Sequence, residues 1–276
     1  VVLILVGVGI LWGKSAYNAA IGMFKSQPAV VEAPKDSSAP RSLATFRLAH
    51  RRFWCSEVNS MARRSLKSRT QPSAQLVPAF RAVRDATTAL AAPLSPEDCA
   101  LQSMPDASPT KWHLAHTTWF FETFVLERFQ SGFEPFRPEF RVLFNSYYNA
   151  IGEKHPRPER GLLSRPSLAD VLDYRTHVDA GIAQLLAREP DNATLAQLVT
   201  LGLHHEQQHQ ELILTDLKHL FSRNPTRPIY RPQWPLTPVA KRNSGWVPFT
   251  GGVVTVGHDP AHGFAFDNEG PQHEVL

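Results

Sequence analysis

Downstream of Gln75, apolar residues recur at helical spacing in four stretches. Leu76, Phe80, Val83 and Leu90 predict a first helix over 76–90. A second opens at Ser108-Pro109, a capping residue followed by a proline suited to the first helical turn, and continues through TKWHLAHTTWFFETFVLERF. A third opens at Ser167, with Asp170 three residues on in the manner of a capping box, and carries Leu168, Val171, Leu172, Val178, Ile182 and Leu185. The fourth starts near Asp191-Asn192 and runs to Phe221, ahead of Asn224-Pro225. Four helices within about 150 residues predict a mainly α protein built on a four-helix bundle. The stretch PLSPEDCALQSMPDASP reads as a connection, as does 130–166. The latter is long and rich in aromatics and arginines, which marks a functional or mobile loop.

Outside these helices the pattern changes. PTRPIYRPQWPLTP is proline-rich and extended, a linker over 225–243. GWVPFTGGVVTVGHDP then alternates β-branched residues with glycines, so strands and turns are expected from Ser244 onward. That segment is too short to bury a core of its own. Residues 1–75 show no core-forming pattern and are left unassigned, as a disordered or non-native stretch. They open on the apolar run VVLILVGVGILWG, well short of the ~20 residues that span a bilayer. It lacks a basic leading region, so stable membrane insertion is not expected. Two origins remain for it, the tail of a cut signal or transmembrane segment and upstream sequence translated with the gene. We favour the second.

Composition changes this picture little. Hydrophobic content of 42% and charged content of 20% are those of a globular protein. Two cysteines are too few for a disulfide framework, which points to a reducing, cytoplasmic setting. The net charge of +4 misleads: residues 41–84 hold ten Lys or Arg against the single acid Glu57, and the chain beyond them is net acidic. A nucleic-acid partner would rest on that basic arm alone. The arm has few aromatics and reads as a solvated tail, so none is expected.

Candidate chemistry concentrates in the fourth helix, in LHHEQQHQEL. Leu195, Leu198, Gly202, His205, His209, Leu212 and Asp216 form one stripe at steps of three and four. His205 and His209 thus fall on a bundle-facing side, one turn apart. His204 is rotated by about 100° from them. A hydrogen-bonded pair of core histidines would satisfy the spacing; a shared metal ion explains it better. His205 to His209 also spells H-E-x-x-H, in which Glu206 would be the general base of a zinc protease. The extension H-x-x-G-x-x-H does not follow, and the next glutamate after Glu211 is Glu269, so Glu206 is expected to be structural or to support the ligands from behind. A bundle can supply a third ligand from a facing helix, and the second helix offers His113 and His116. His116 shares a stripe with Trp112 and Trp119; His113 lies near Phe120 and Phe124. Spacing leaves both open. Three neutral histidines would suit zinc hydrolysis or ferrous oxygen chemistry, because each leaves coordination positions free.

SPTKWHLAHTTWFFETFVL and HHEQQHQELILTDLKH resemble the two signatures of the iron-dependent sulfoxide synthases of ergothioneine biosynthesis, the hercynine oxygenases. GFAFDNEGPQHEV resembles the entry to the second domain of those enzymes, which is of the formylglycine-generating, sulfatase-modifying-factor type with a C-type-lectin-like α+β fold. The resemblance covers about 76–276 and implies a DinB-like bundle over 76–224 and the incomplete start of the second domain over 244–276. It implies Fe(2+) held by His116, His205 and His209. Hercynine, a thiol (γ-glutamylcysteine or cysteine) and O2 would be the substrates, joined through a C–S bond with the sulfur left as sulfoxide. Gln208 would contact hercynine, and Arg157 or Arg160 the carboxylate of the thiol, a task that suits a guanidinium fork. The family's catalytic tyrosine lies later in the second domain than Leu276, so no catalytic side chain is assigned and the fragment is expected to be incomplete. Three other readings stay open: the ovothiol-pathway synthase acting on histidine, a DinB-type metal-dependent thiol transferase, and a non-catalytic metal-binding module. The β segment argues against a bare bundle.

Overall fold

The computed structural model describes residues 73–146, 151–231, 245–259 and 261–276. The apolar start, the basic arm up to residue 72 and the linker portion 232–244 lie outside the described residues.

Helix α1 spans Ser73–Ala91 and the short α2 Pro96–Ala100. Helix α3, Thr110–Phe121, runs on through a π-helical turn, Glu122–Leu126, into α4, Glu127–Phe129. After α5, Phe140–Leu143, and a 3-10 turn at Arg157–Leu162 come the long helices α6, Leu168–Arg188, and α7, Ala193–Arg223. Helices α1 and α3 each pack against both α6 and α7. The result is the mainly helical bundle that the periodicity predicts, one compact unit between Thr70 and Trp246. Its core joins Leu76 and Phe80 of α1, Leu114 and Phe121 of α3, Val171 and Ile182 of α6, and Leu195 and Ile213 of α7. Each such side chain contributes about 1.5–3 kcal/mol relative to leaving it in water.

Local chemistry starts the helices. Ser167 caps α6, its Oγ accepting from the Asp170 N–H while the Asp170 carboxylate accepts from the Ser167 N–H. The Asn192 side chain accepts from the Leu195 N–H at 3.0 Å and caps α7. Three expectations need correction. Ser108 does not cap α3: Pro109 occupies that position, and the Ser108 N–H donates instead to Asp216 Oδ2 at 2.8 Å. The second helix is not uniform, because five buried residues, Glu122 to Leu126, form the wider π turn. There the Glu122 carboxylate accepts from the Phe136 N–H and from the Tyr174 hydroxyl. The connection PLSPEDCALQ holds α2, started by a Ser95/Asp98 capping box.

All twelve residues of α3 are buried, so this helix has no solvent face. Described residues of the connection that follows reach this helix. The Trp112 indole N–H donates to the Leu143 carbonyl, and Lys111 Nζ to the Leu163 carbonyl. On the other side, Gly202 lets α7 approach: a Cβ there would lie 2.5 Å from Phe121 Cε1 and 2.8 Å from Phe120 Cε1. This close approach brings the histidines of α3 and α7 together.

Residues 247–276 fall outside that compact unit. They carry the antiparallel pair β1, Val254–Val256, and β2, His273–Val275, in register Val254 with Val275, Thr255 with Glu274 and Val256 with His273. Both strands are exposed. Gly257, at φ 102, ends β1 where a Cβ would lie 2.7 Å from the Pro271 carbonyl oxygen. Among the described residues no helix is long and apolar enough to cross a membrane.

Candidate metal centre

On α7 the buried line runs Leu195, Leu198, Gly202, Glu206, His209, Ile213 and Leu217. The stripe read from the sequence is therefore rotated: Leu212 is exposed, His205 half-buried, and Glu206 lies innermost at 0% exposure. Hydropathy could not show this, since a carboxylate enters a core only when its partners are supplied from elsewhere.

His205 and His209 meet His116 of α3, and one ring nitrogen from each lies within 4.8 Å of the others. Of the two histidines open in α3, His116 joins this trio. Its Nδ1 lies 2.6 Å from the Phe144 carbonyl oxygen. A carbonyl only accepts, so Nδ1 carries the proton and Nε2 keeps its lone pair. Trp112 stacks on His116 at 4.5 Å and 13°, and Trp119 stacks on it at 5.6 Å and 15°. Phe120 lies 5.0 Å from the His205 ring. Burial holds all three imidazoles below their ordinary pKa, His205 at about 4; the neighbouring His205 adds to the depression of His116 and His209. They are neutral at pH 7, the form that ligates metal.

His205 Nδ1 is buried without a hydrogen-bond partner among the described residues. Leaving a buried polar atom unsatisfied costs about 1–3 kcal/mol. Lone pairs converging from three neutral rings, one of them holding an orphaned nitrogen, fit a divalent first-row metal ion. His204 is half-buried and takes no part in the trio.

The expected substrate residues are spread differently. Arg160 is buried, with its guanidinium 3.4 Å over the Trp112 ring, and donates to Ser108 Oγ at 2.9 Å and Ser146 Oγ at 3.1 Å. Through Trp112 it belongs to the surroundings of His116. Arg157 is half-buried and donates to the Asp106 carbonyl, so the structure does not bring it to the trio. Gln208 is exposed on the flank of α7 beside His205.

Two arrangements escaped the sequence, which offered His113 only as a candidate ligand. His113, buried, places Nδ1 2.8 Å from His209 Nδ1 and Nε2 3.1 Å from Asp216 Oδ2. Next to the histidines, Glu206 anchors an ion network joining all four long helices. Arg84 of α1 donates to Glu206 at 2.8 Å, to Asp179 of α6 at 2.7 Å and to Thr118 of α3 at 2.8 Å. Arg175 of α6 donates to the other Glu206 oxygen at 3.0 Å and to the Leu114 carbonyl at 3.1 Å. Burial alone would raise the Glu206 pKa; Arg84 and Arg175 outweigh it and hold the carboxyl below its ordinary value. Both oxygens are engaged and the group is a weak base, so it is unsuited to the protease role. A signal was present: Arg84 falls four residues after Phe80, and Arg175 between Val171 and Val178, at apolar positions of their stripes.

Fold and cluster together define a helical-bundle domain equipped to hold a metal ion. Residues 79–213 match the family model of the DinB superfamily, a similarity that lies wholly within the bundle. No curated protein matches the chain.

Proposed function

We propose that this domain is the metal-holding part of an iron(II)- and oxygen-dependent sulfoxide synthase that joins a thiol, γ-glutamylcysteine or cysteine, to the imidazole of hercynine. The observation that carries it is the convergence of His116, His205 and His209 as neutral rings, with one buried nitrogen unsatisfied. Iron(II) held by these three would supply the one-electron chemistry that activates dioxygen. The overall reaction balances: one C–H and one S–H bond give way to one C–S bond, one oxygen atom stays on sulfur, and the other leaves with two hydrogens as water.

The remaining roles belong to the chain. Phe144 fixes the His116 ring through the proton at Nδ1. Trp112, Trp119 and Phe120 wall the trio and keep water from that side. Gln208, exposed beside His205, is available to a hercynine ring. Arg160, stacked on Trp112, offers a fixed guanidinium for the carboxylate of the thiol; Arg157 is the alternative, at the same turn. The family match lies entirely within the bundle, which supports a second reading, a metal-dependent thiol transferase that needs no oxygen.

The two are separated by loading the protein with Fe(II) anaerobically and adding hercynine and γ-glutamylcysteine. With the second domain complete, oxygen uptake with a sulfoxide product of the combined mass is expected. Thiol consumption at the same rate without oxygen would replace the first reading with the second.

A further inference from the structure

His116 and His209 are both tethered at Nδ1, one by a main-chain carbonyl and the other by a second histidine. That second histidine has an acid behind it. Asp216 Oδ2 accepts from the Ser108 N–H at 2.8 Å, and His113 Nε2 lies 3.1 Å from the same oxygen. An accepting oxygen requires a donor, so the His113 proton sits on Nε2. A neutral imidazole carries one proton, which leaves His113 Nδ1 as an acceptor. His209 Nδ1, 2.8 Å away, must then be the donor, and His209 Nε2 keeps its lone pair. The protons thus run from His209 through His113 to Asp216, and His116 and His209 each keep a bare Nε2. Asp216 is itself placed by Ser108, whose Oγ accepts from Arg160 at 2.9 Å.

We propose that His113 and Asp216 are positioning residues for the metal centre: they lock His209 in the tautomer that ligates through Nε2, and so set the affinity for the metal. The proposal rests on the metal centre formed by His116, His205 and His209. Carboxylate and imidazole partners behind ligating histidines act in this way in general: they orient the ring, raise its basicity, and their loss weakens metal binding by about 10–100-fold. The alternative arrangement, a proton on His113 Nδ1, would point its Nε2 lone pair at an oxygen already accepting, and would force the His209 proton onto Nε2.

The test uses the full chain with Fe(II) alone, anaerobically, and with Zn(II) competed against a chromophoric chelator. His113→Phe keeps a flat ring but no acceptor and is expected to lower affinity by about 10–100-fold. Asp216→Asn is expected to lower it by about tenfold. His113→Gln, whose amide oxygen can accept from His209, should restore near wild-type binding. Melting of the metal-free variants separates positioning from structure: affinity lost at unchanged melting temperature supports the proposal. Wild-type affinity in His113→Phe, with binding abolished by His116→Ala, would overturn it while the centre stands. Binding that survives both His116→Ala and His205→Ala would overturn the centre, and the proposal with it. Should His113→Phe fail to fold, nitrogen-15 spectra of the wild-type metal-free chain decide: a proton on His209 Nδ1 and on His113 Nε2 supports the assignment, and a proton on His209 Nε2 overturns it.

Discussion

Two polar clusters lie next to each other inside this bundle, and they follow opposite rules. In one, Glu206 is gripped by Arg84 and Arg175, with Asp179 and Thr118 completing the set. Two positive and two negative side chains meet there, and the hydrogen bonds run between members. In the other, His116, His205 and His209 are uncharged, and His116 and His209 meet their partners at Nδ1. The first cluster is complete without a ligand; the second has electron pairs in excess of protons. Buried charge satisfied from within the protein serves as scaffold, whereas three neutral imidazoles sharing one space could hold a metal ion. Positions 205 and 206 are adjacent in the chain, so one turn of helix serves both purposes.

The largest expected effect comes from breaking the site while sparing the scaffold. Anaerobic Fe(II) titration of His209→Ala should show binding falling from about one ion per chain, the stoichiometry of a single three-histidine site, to nearly none. His204→Ala, off the trio, should keep it. Equal loss from both variants would mean that the face of α7 has been misassigned. Next in size is the reverse experiment. Arg175→Met leaves the buried Glu206 carboxylate with Arg84 alone among its arginines, and loss of one partner from a buried ion pair costs about 3–5 kcal/mol. Urea unfolding of the metal-free protein should show it. Replacing Arg84, Arg175 and Glu206 together by apolar residues of similar volume should recover most of the loss, as pure scaffold would; a triple variant no better than Arg175→Met would show that the network does more than hold helices.

The smallest effect is graded, and acidity separates the clusters. His113, His116, His205 and His209 all have folded pKa values below the ordinary 6.5, with burial as the first cause. Below pH 6.5 the unfolded chain binds protons that the folded chain refuses, so stability falls as pH drops, toward about 4 for His205. Glu206 is also depressed, from 4.5, so its contribution is intact above pH 4.5 and is lost as pH falls through its folded value. Urea midpoints without metal should therefore decline first between pH 6.5 and 4, and this first phase should shrink in His205→Ala. A stability flat from pH 7 to 5 would show that these histidines are not buried in the neutral form.

Much of this was legible beforehand, and the residues show why. The four long helices, the caps at Ser167 and Asn192, and the pairing of His205 with His209 depend on interactions within one to four residues, which the order of side chains reports directly. The exclusion of Glu206 from protease chemistry could be argued from missing companions. Its position at the very centre could not: a charged residue reads as exposed until Arg84 and Arg175, 122 and 31 residues away, are known to meet it.

The sequence by itself therefore determined the helices, their approximate ends and the two histidines that share a face, because helical periodicity is a local property. Tertiary structure alone decided that His116 rather than His113 completes the trio. One turn separates them, and both are buried in a helix with no solvent face. The choice is made by what the rest of the chain brings to each ring: the Phe144 carbonyl on His116, and His209 with Asp216 on His113. Those contacts span 28 to 103 residues of chain, so they follow from where the folded backbone places carbonyls and carboxylates, which no spacing of side chains along one helix encodes.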